Sequence, residues 1–189
     1  MGLLSIDQVK NMGFAGVGKD VKISDRASFY NCKNIVIGDY SRIDDFCVLS
    51  AGSGGIRIGR NVHVAIFSSL VGKELISLKD FCNISSRVSI YSSSDDYSGM
   101  SMTNPTVPEE FTDVHHSSVM LERHVIVGCG SVILPGVTLK EGVAIGALSL
   151  VNRDCETFGI YAGNPVRRLK DRKRDLLSLE QKFLSQRDI

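Results

Sequence analysis

The residues of this chain best suited to moving a proton are its four histidines, His63, His115, His116 and His124, and the acidic pair Asp95 and Asp96. An imidazole titrates closest to neutrality of all side chains, so a histidine whose tautomer is fixed by a carboxylate can act as a general base. A second chemical feature is the run VRRLKDRKR from Val166 to Arg174, with six basic side chains in nine residues. Guanidinium and ammonium groups at that density suit a phosphate-bearing ligand, and they equally suit a solvated basic helix face.

What must position these groups is written in the aliphatic residues. Leu121, Val127, Ile133, Leu139, Ile145 and Val151 recur every six residues without a slip. A strand alternates every two residues and a helix turns every 3.6, so a sustained period of six belongs to a solenoid. The block reads LERHVI, VGCGSV, ILPGVT, LKEGVA, IGALSL, VNRDCE, with a small or aliphatic residue usually fifth. Each hexad is expected to form one short strand and a corner, with the first residue inward, glycine easing the turns and three hexads per coil.

The earlier chain keeps this pattern with interruptions, through IGDYSR, IDDFCV, IGRNVH, VAIFSS, LVGKEL, LKDFCN and ISSRVS. Extra residues between Ser50 and Ile56, and two more between Leu70 and Leu78, are expected to form bulges within a single β-helix domain spanning 21–160. Between Tyr91 and Ser118 the hexads vanish into a segment rich in Ser, Asp, Pro and Thr. An excursion that long, about 91–118, reads as an active-site loop.

Helices are expected at both ends. Ser5 caps a short helix that ends at Gly13, within an N-terminal segment of 1–20. A C-terminal basic helix in 161–189 runs from Val166 to Gln186, with Pro165 at its start and Leu169, Leu176, Leu177, Leu179 and Phe183 on one stripe. The 189 residues carry a formal net charge of +1, which suggests neither nucleic acid nor an anionic membrane as a bulk partner. No apolar run reaches the ~18 residues of a transmembrane helix, and the N-terminus does not read as a secretory signal. A cytoplasmic location is expected. The five cysteines form no CxxC, and Cys47 and Cys82 occupy the inward fifth place of their hexads, as reduced packing residues would.

The run VIVGCGSVILPGVTLKEGVAIGALSLV followed by IYAGNPVRRLK resembles the hexapeptide-repeat acetyltransferases. The segments ASFYNCKNIVIGDYSRIDDFCVLSAG and SIYSSSDDYSG are most similar to sugar acetyltransferases of bacterial surface-polysaccharide clusters, including those that N-acetylate dTDP-4-amino-4,6-dideoxyglucose. The resemblance implies a left-handed parallel β-helix, acetyl-CoA as co-substrate, no metal, and a homotrimer with sites between subunits. It also implies that the pantetheine arm runs past Gly128, Gly146 and Ala147. The phosphates of CoA would then meet Arg167, Arg168 and Lys170, the basic residues that directly follow AGNP.

Acyl transfer by direct attack needs a base for the acceptor's proton and a donor for the oxyanion. His63 closes the hexad IGRNVH, and one coil on the equivalent corner carries Asn83. Stacked at ~4.8 Å, the two would be neighbours beside the long loop, where Asp95 or Asp96 could orient the imidazole or bind a sugar ammonium. Galactoside and maltose acetyltransferases carry their catalytic histidine early in the corresponding loop. Here the loop holds only His115 and His116, at its end, and they stand in reserve as bases that reach a neighbouring subunit. His124, in mid-hexad, reads as a surface residue. The expected activity is N-acetylation of a nucleotide-linked 4-amino-4,6-dideoxy sugar, with O-acetylation of a sugar hydroxyl as the rival. A three-histidine metal hydratase resembling the γ-type carbonic anhydrases and a non-catalytic β-helix binding module are the readings from other classes.

Overall fold

The computed structural model describes residues 2–186. Three parallel sheets form the faces of a triangular prism. The first face stacks Gly16–Val17, Ile35–Ile37, Ile56–Ile58, Ile76–Leu78, Val119–Leu121 and Thr138–Leu139. The second runs Lys22–Ile23, Arg42–Ile43, His63–Val64, Asn83–Ile84, Ile126–Val127, Ala144–Ile145 and Gly159–Ala162, and Arg167–Asp171 adds an eighth, antiparallel strand. The third stacks Ser28–Tyr30, Val48–Ala51, Ser69–Gly72, Ser89–Tyr91, Val132–Ile133 and Leu150–Val151. All-β, this is the expected β-solenoid.

The period-six ladder produces this prism directly. Leu121 pairs with Leu139, Val127 with Ile145, and Ile133 with Val151, each pair one coil of three hexads apart. Every first residue of that ladder is buried, and the fifth-place residues Val125, Ser131, Val137, Val143, Ser149 and Cys155 are buried with them. Where extra residues fall, the coil lengthens without leaving the prism. Strands Val48–Ala51 and Ser69–Gly72 grow to four residues, and Gly52 and Gly54 donate to Gly72 and Lys73 across the enlarged corner. A Cβ on Gly54 would sit 2.3 Å from the Leu75 nitrogen, so that corner admits only glycine.

Glycine is less general at the corners than the repeat suggested. The left-handed turn position is held by Tyr40, Asn61, Phe81 and His124 along one edge and by Phe46, Phe67, Arg87 and Leu148 along another. A non-glycine residue in that region costs about 1–2 kcal/mol. Stacking between coils offsets the cost: the rings of Phe46 and Phe67 lie 5.1 Å apart and nearly parallel, with the guanidiniums of Arg26 and Arg87 over their outer faces.

The short N-terminal helix is as expected. Ile6–Asn11 carries a full capping box, the Ser5 side chain accepting from the Gln8 amide and the Gln8 side chain accepting from that of Ser5, and Gly13 follows at φ +71°. The C-terminal expectation is corrected. Residues from Val166 do not begin a helix: Arg167–Asp171 pairs antiparallel with Gly159–Ala162, and the helix spans only Asp175–Ser185. The last coil leaves a row of backbone donors and acceptors that would otherwise lack partners, and a hairpin satisfies them as a helix there could not.

That helix is held to the prism by a buried ion pair, which also corrects the reading of His124 as a surface residue. The His124 side chain is only 9% exposed, its ring stacks on Phe81 at 5.1 Å, and its Nε2 lies 2.8 Å from Oε2 of Glu180. Arg123 bonds the other carboxylate oxygen. Burial pushes the Glu180 carboxyl up, but the bonds from His124 and Arg123 outweigh it and hold it below the ordinary glutamate value. A depressed carboxyl contributes stability that is present above its unfolded value, about 4.5, and is lost as pH falls through the lower folded value. Glu180→Gln is therefore expected to lower the melting temperature at pH 7, with the deficit shrinking as pH falls below about 4.5. A mutant deficit that stays constant from pH 7 to pH 3 would refute the ion-pair account.

Candidate active site

The second face carries the candidate chemistry. His63 pairs in register with Asn83 above it and Arg42 below it, and Ile126 occupies the next coil. The expected adjacency of His63 and Asn83 is thus present. The expected carboxylate partner is not. The ring Nε2 of His63 lies 2.8 Å from Oδ2 of Asp44, two residues along the strand one coil below, while Arg42 Nε donates to Asp44 Oδ1 at 2.6 Å. Burial raises the Asp44 carboxyl, yet the bonds from His63 and Arg42 win and hold it below the usual aspartate value.

Asp95 and Asp96 lie elsewhere within the chain. The excursion leaves after the third-face strand Ser89–Tyr91 and returns to the first-face strand Val119–Leu121, so its root is the prism corner opposite the second face. Asp96 accepts from the amides of Ser98 at 2.7 Å and Ser101 at 3.0 Å. Bonds from the side chain and amide of Ser98, and from Ser101, hold its carboxyl below the ordinary value. Within the chain this residue organises the loop.

The two loop histidines form its neck: His115–His116 pairs antiparallel with Ser93–Ser94, and the Nδ1 of His116 lies 2.8 Å from the Ser93 hydroxyl. Beyond the neck, Tyr97 and Met100 are 93% and 91% exposed, an unusual outlay of apolar surface on a loop that is otherwise internally bonded.

A row of small residues runs along the coils beside His63. Ala65, Ser85, Gly128, Gly146 and Ala162 succeed Asp44 at equivalent positions in successive coils, each of the inner four donating its amide to the coil above. A Cβ on Gly128 would meet the Ala147 nitrogen at 2.5 Å and the Gly146 carbonyl carbon at 2.7 Å. The glycine is thus demanded by the close approach of the coils themselves. The row ends at the basic hairpin strand, where Arg167 pairs with Ala162, Arg168 with Tyr161 and Lys170 with Ile160. Five strand spacings separate His63 from that edge, about 24 Å, a span for an extended ligand rather than a compact one.

The remaining basic residues of the run are partly committed to structure. Arg172 donates to the His124 and Gly142 carbonyls at 2.8 and 3.0 Å, and the guanidinium of Arg174 lies over Phe158. The buried thiols behave as packing: burial pushes Cys82 up to about 12 and Cys47 and Cys155 up to about 11, so they stay protonated. Three of the four histidines are bound to three different partners, Asp44, Ser93 and Glu180, and among the described residues no group of His, Cys, Asp or Glu side chains converges as a metal site would require. Asp44 is the site residue that sequence reasoning missed. Its signal was present, since a single coil of 21 residues places Arg42 under His63 and turns Asp44 toward the ring.

A prism of stacked hexads with a histidine–carboxylate pair, a row of small residues and a basic edge on one face defines a hexapeptide-repeat acyltransferase of the left-handed parallel β-helix class. No family model matches the chain. Over 183 residues it is 54% identical to the dTDP-4-amino-4,6-dideoxy-D-glucose acyltransferase of Escherichia coli, covering 97% of this chain and 95% of that one. Among solved structures it is similar to AntD, an N-acyltransferase from Bacillus cereus. A serine variant of AntD in complex with dTDP-4-amino-4,6-dideoxyglucose and coenzyme A matches at a TM-score of 0.95 and 43% identity over 98% of both chains. AntD with dTDP and 3-hydroxybutyryl-CoA matches at 0.94 and 42% over 99% of this chain and 98% of that one. The chain belongs to the family of dTDP-4-amino-4,6-dideoxyglucose acyltransferases.

Proposed function

We propose that the protein transfers the acetyl group of acetyl-CoA to the amino nitrogen of dTDP-4-amino-4,6-dideoxyglucose, for use in a surface glycan. The observation that carries this reading is the 54% identity across 97% of the chain to an acyltransferase of that substrate. His63 takes the proton from the acceptor amine as it attacks the thioester carbonyl, and Asn83 or a backbone amide near the cleft steadies the oxyanion. The pantetheine arm lies along Gly128, Gly146 and Ala147, and the phosphates of CoA meet Arg167, Arg168 and Lys170 on the hairpin edge. No metal enters these steps.

The active assembly in this proposal is a homotrimer. In a single chain the loop roots at the corner opposite His63, so Asp95 and Asp96 can join that histidine only from a neighbouring subunit. The exposed Tyr97 and Met100 supply apolar surface for that contact. A carboxylate so delivered binds the sugar's amino group and favours its correct placement. The protein works in the cytoplasm; among the described residues no helix is long and apolar enough to cross a membrane.

The test is thiol release from acetyl-CoA against dTDP- and UDP-linked 4-amino sugars, with free galactosides and 4-hydroxy nucleotide sugars alongside. Turnover confined to the dTDP-amino sugar is the expected result. Turnover only on hydroxyl acceptors would replace N-acetylation by O-acetylation, and no CoA binding at all would leave the fold as a binding module.

A further inference from the structure

We infer that Asp44 is the positioning residue for His63, and that the nitrogen His63 offers to the acceptor is therefore Nδ1. This rests on the proposed role of His63 as base. The carboxylate of Asp44 has only lone pairs to offer, so the proton in the 2.8 Å contact with His63 must reside on Nε2. Nδ1 then carries the free lone pair, which is what a base requires.

The geometry around Asp44 is that of a fixed support. Its side chain is 14% exposed, whereas the His63 ring is 42% exposed, so the carboxylate is sheltered while the imidazole can be reached. Each carboxylate oxygen has its own partner, Oδ1 accepting from Arg42 Nε at 2.6 Å and Oδ2 from His63, which fixes the carboxylate plane as well as its position. Both contacts follow from the strand pairing of Arg42–Ile43 with His63–Val64, so the support is built into the sheet and not into a mobile segment. During transfer the acceptor nitrogen forms its bond to the carbonyl carbon and the C–S bond breaks. The amine proton passes to Nδ1 and on to the departing thiolate, while the Nε2–H to Asp44 bond steadies the transient imidazolium. The loop carboxylates Asp95 and Asp96 are thereby released from orienting the base and are left to hold the substrate.

The experiment combines kinetics with a tautomer measurement on the assembled enzyme. In protein labelled with ¹⁵N-histidine, at about pH 9 where imidazoles are neutral, the signals of His63 are assigned by their loss in His63→Ala. The parent protein is expected to show a single Nε2–H tautomer for His63, and Asp44→Ala a mixture of both. Asp44→Ala should also lower kcat at least about tenfold, a part of the about 10²–10⁴ that general-base catalysis supplies, with the KM for acetyl-CoA unchanged. A parent tautomer protonated at Nδ1 would overturn the inference without any variant, whether or not Asp44→Ala folds. Near-normal turnover in His63→Ala overturns the base role and this inference with it. An inactive His63→Ala beside a fully active Asp44→Ala overturns the inference alone.

Discussion

His63→Ala is expected to lower turnover of the amino-sugar acceptor by about 10²–10⁴-fold, the range that a positioned general base contributes, while acetyl-CoA still binds. The two halves of that result come from separate parts of one face. His63 stands on the third strand of the eight in the second sheet, and the basic hairpin strand is the eighth, so losing the imidazole removes no contact to the CoA phosphates. Single-turnover kinetics and CoA titration of the variant check both halves together. Near-normal turnover would move the base to the loop neck, where His115 and His116 are the remaining choices. His116 is already bonded to Ser93, which makes the more exposed His115 the first of the two to replace.

Leu121→Ala should destabilise the protein by about 2–5 kcal/mol, as other deletions of a buried leucine do. Leu121 has no exposed surface, and on the first face it is stacked between Leu78 and Leu139. A solenoid coil is held by hydrogen bonds to the coils above and below, so it cannot collapse along the axis to fill the gap. Chemical denaturation monitored by circular dichroism measures the effect. A loss under about 1 kcal/mol would mean that the prism narrows around the missing side chain, contrary to a core made of fixed layers.

Much of this architecture is legible because the repeat is one-dimensional. Where Leu121 through Val151 keep strict time, inward direction, coil length and pairing partners all follow from counting. The same counting placed Asn83 over His63 despite the inserted residues. It also located the excursion at 91–118 and the buried places of Cys47 and Cys82. The counting fails where a residue's partner lies outside the repeat. His124 sits in a regular hexad and has the polarity of a surface group, yet the C-terminal helix covers it and gives it Glu180, 56 residues away. Arg167–Asp171 has a composition that suits a helix, but the open edge of the last coil recruits it as a strand.

The candidate site divides along the same line. The histidine and the basic run are properties of residue type and spacing that the sequence alone determined, while Gly128, Gly146 and Ala147 came in with the acyltransferase resemblance. Within the chain, tertiary structure decided which carboxylate bonds the histidine. Asp95 and Asp96 looked suited because they adjoin a loop, but the loop springs from the far corner of the prism. Asp44 looked like an ordinary member of IDDFCV until a 21-residue coil brought it beneath the ring. Hydrogen bonding acts over about 3 Å, and in a stacked fold that distance is set by the number of residues per coil and by which corner the chain leaves from.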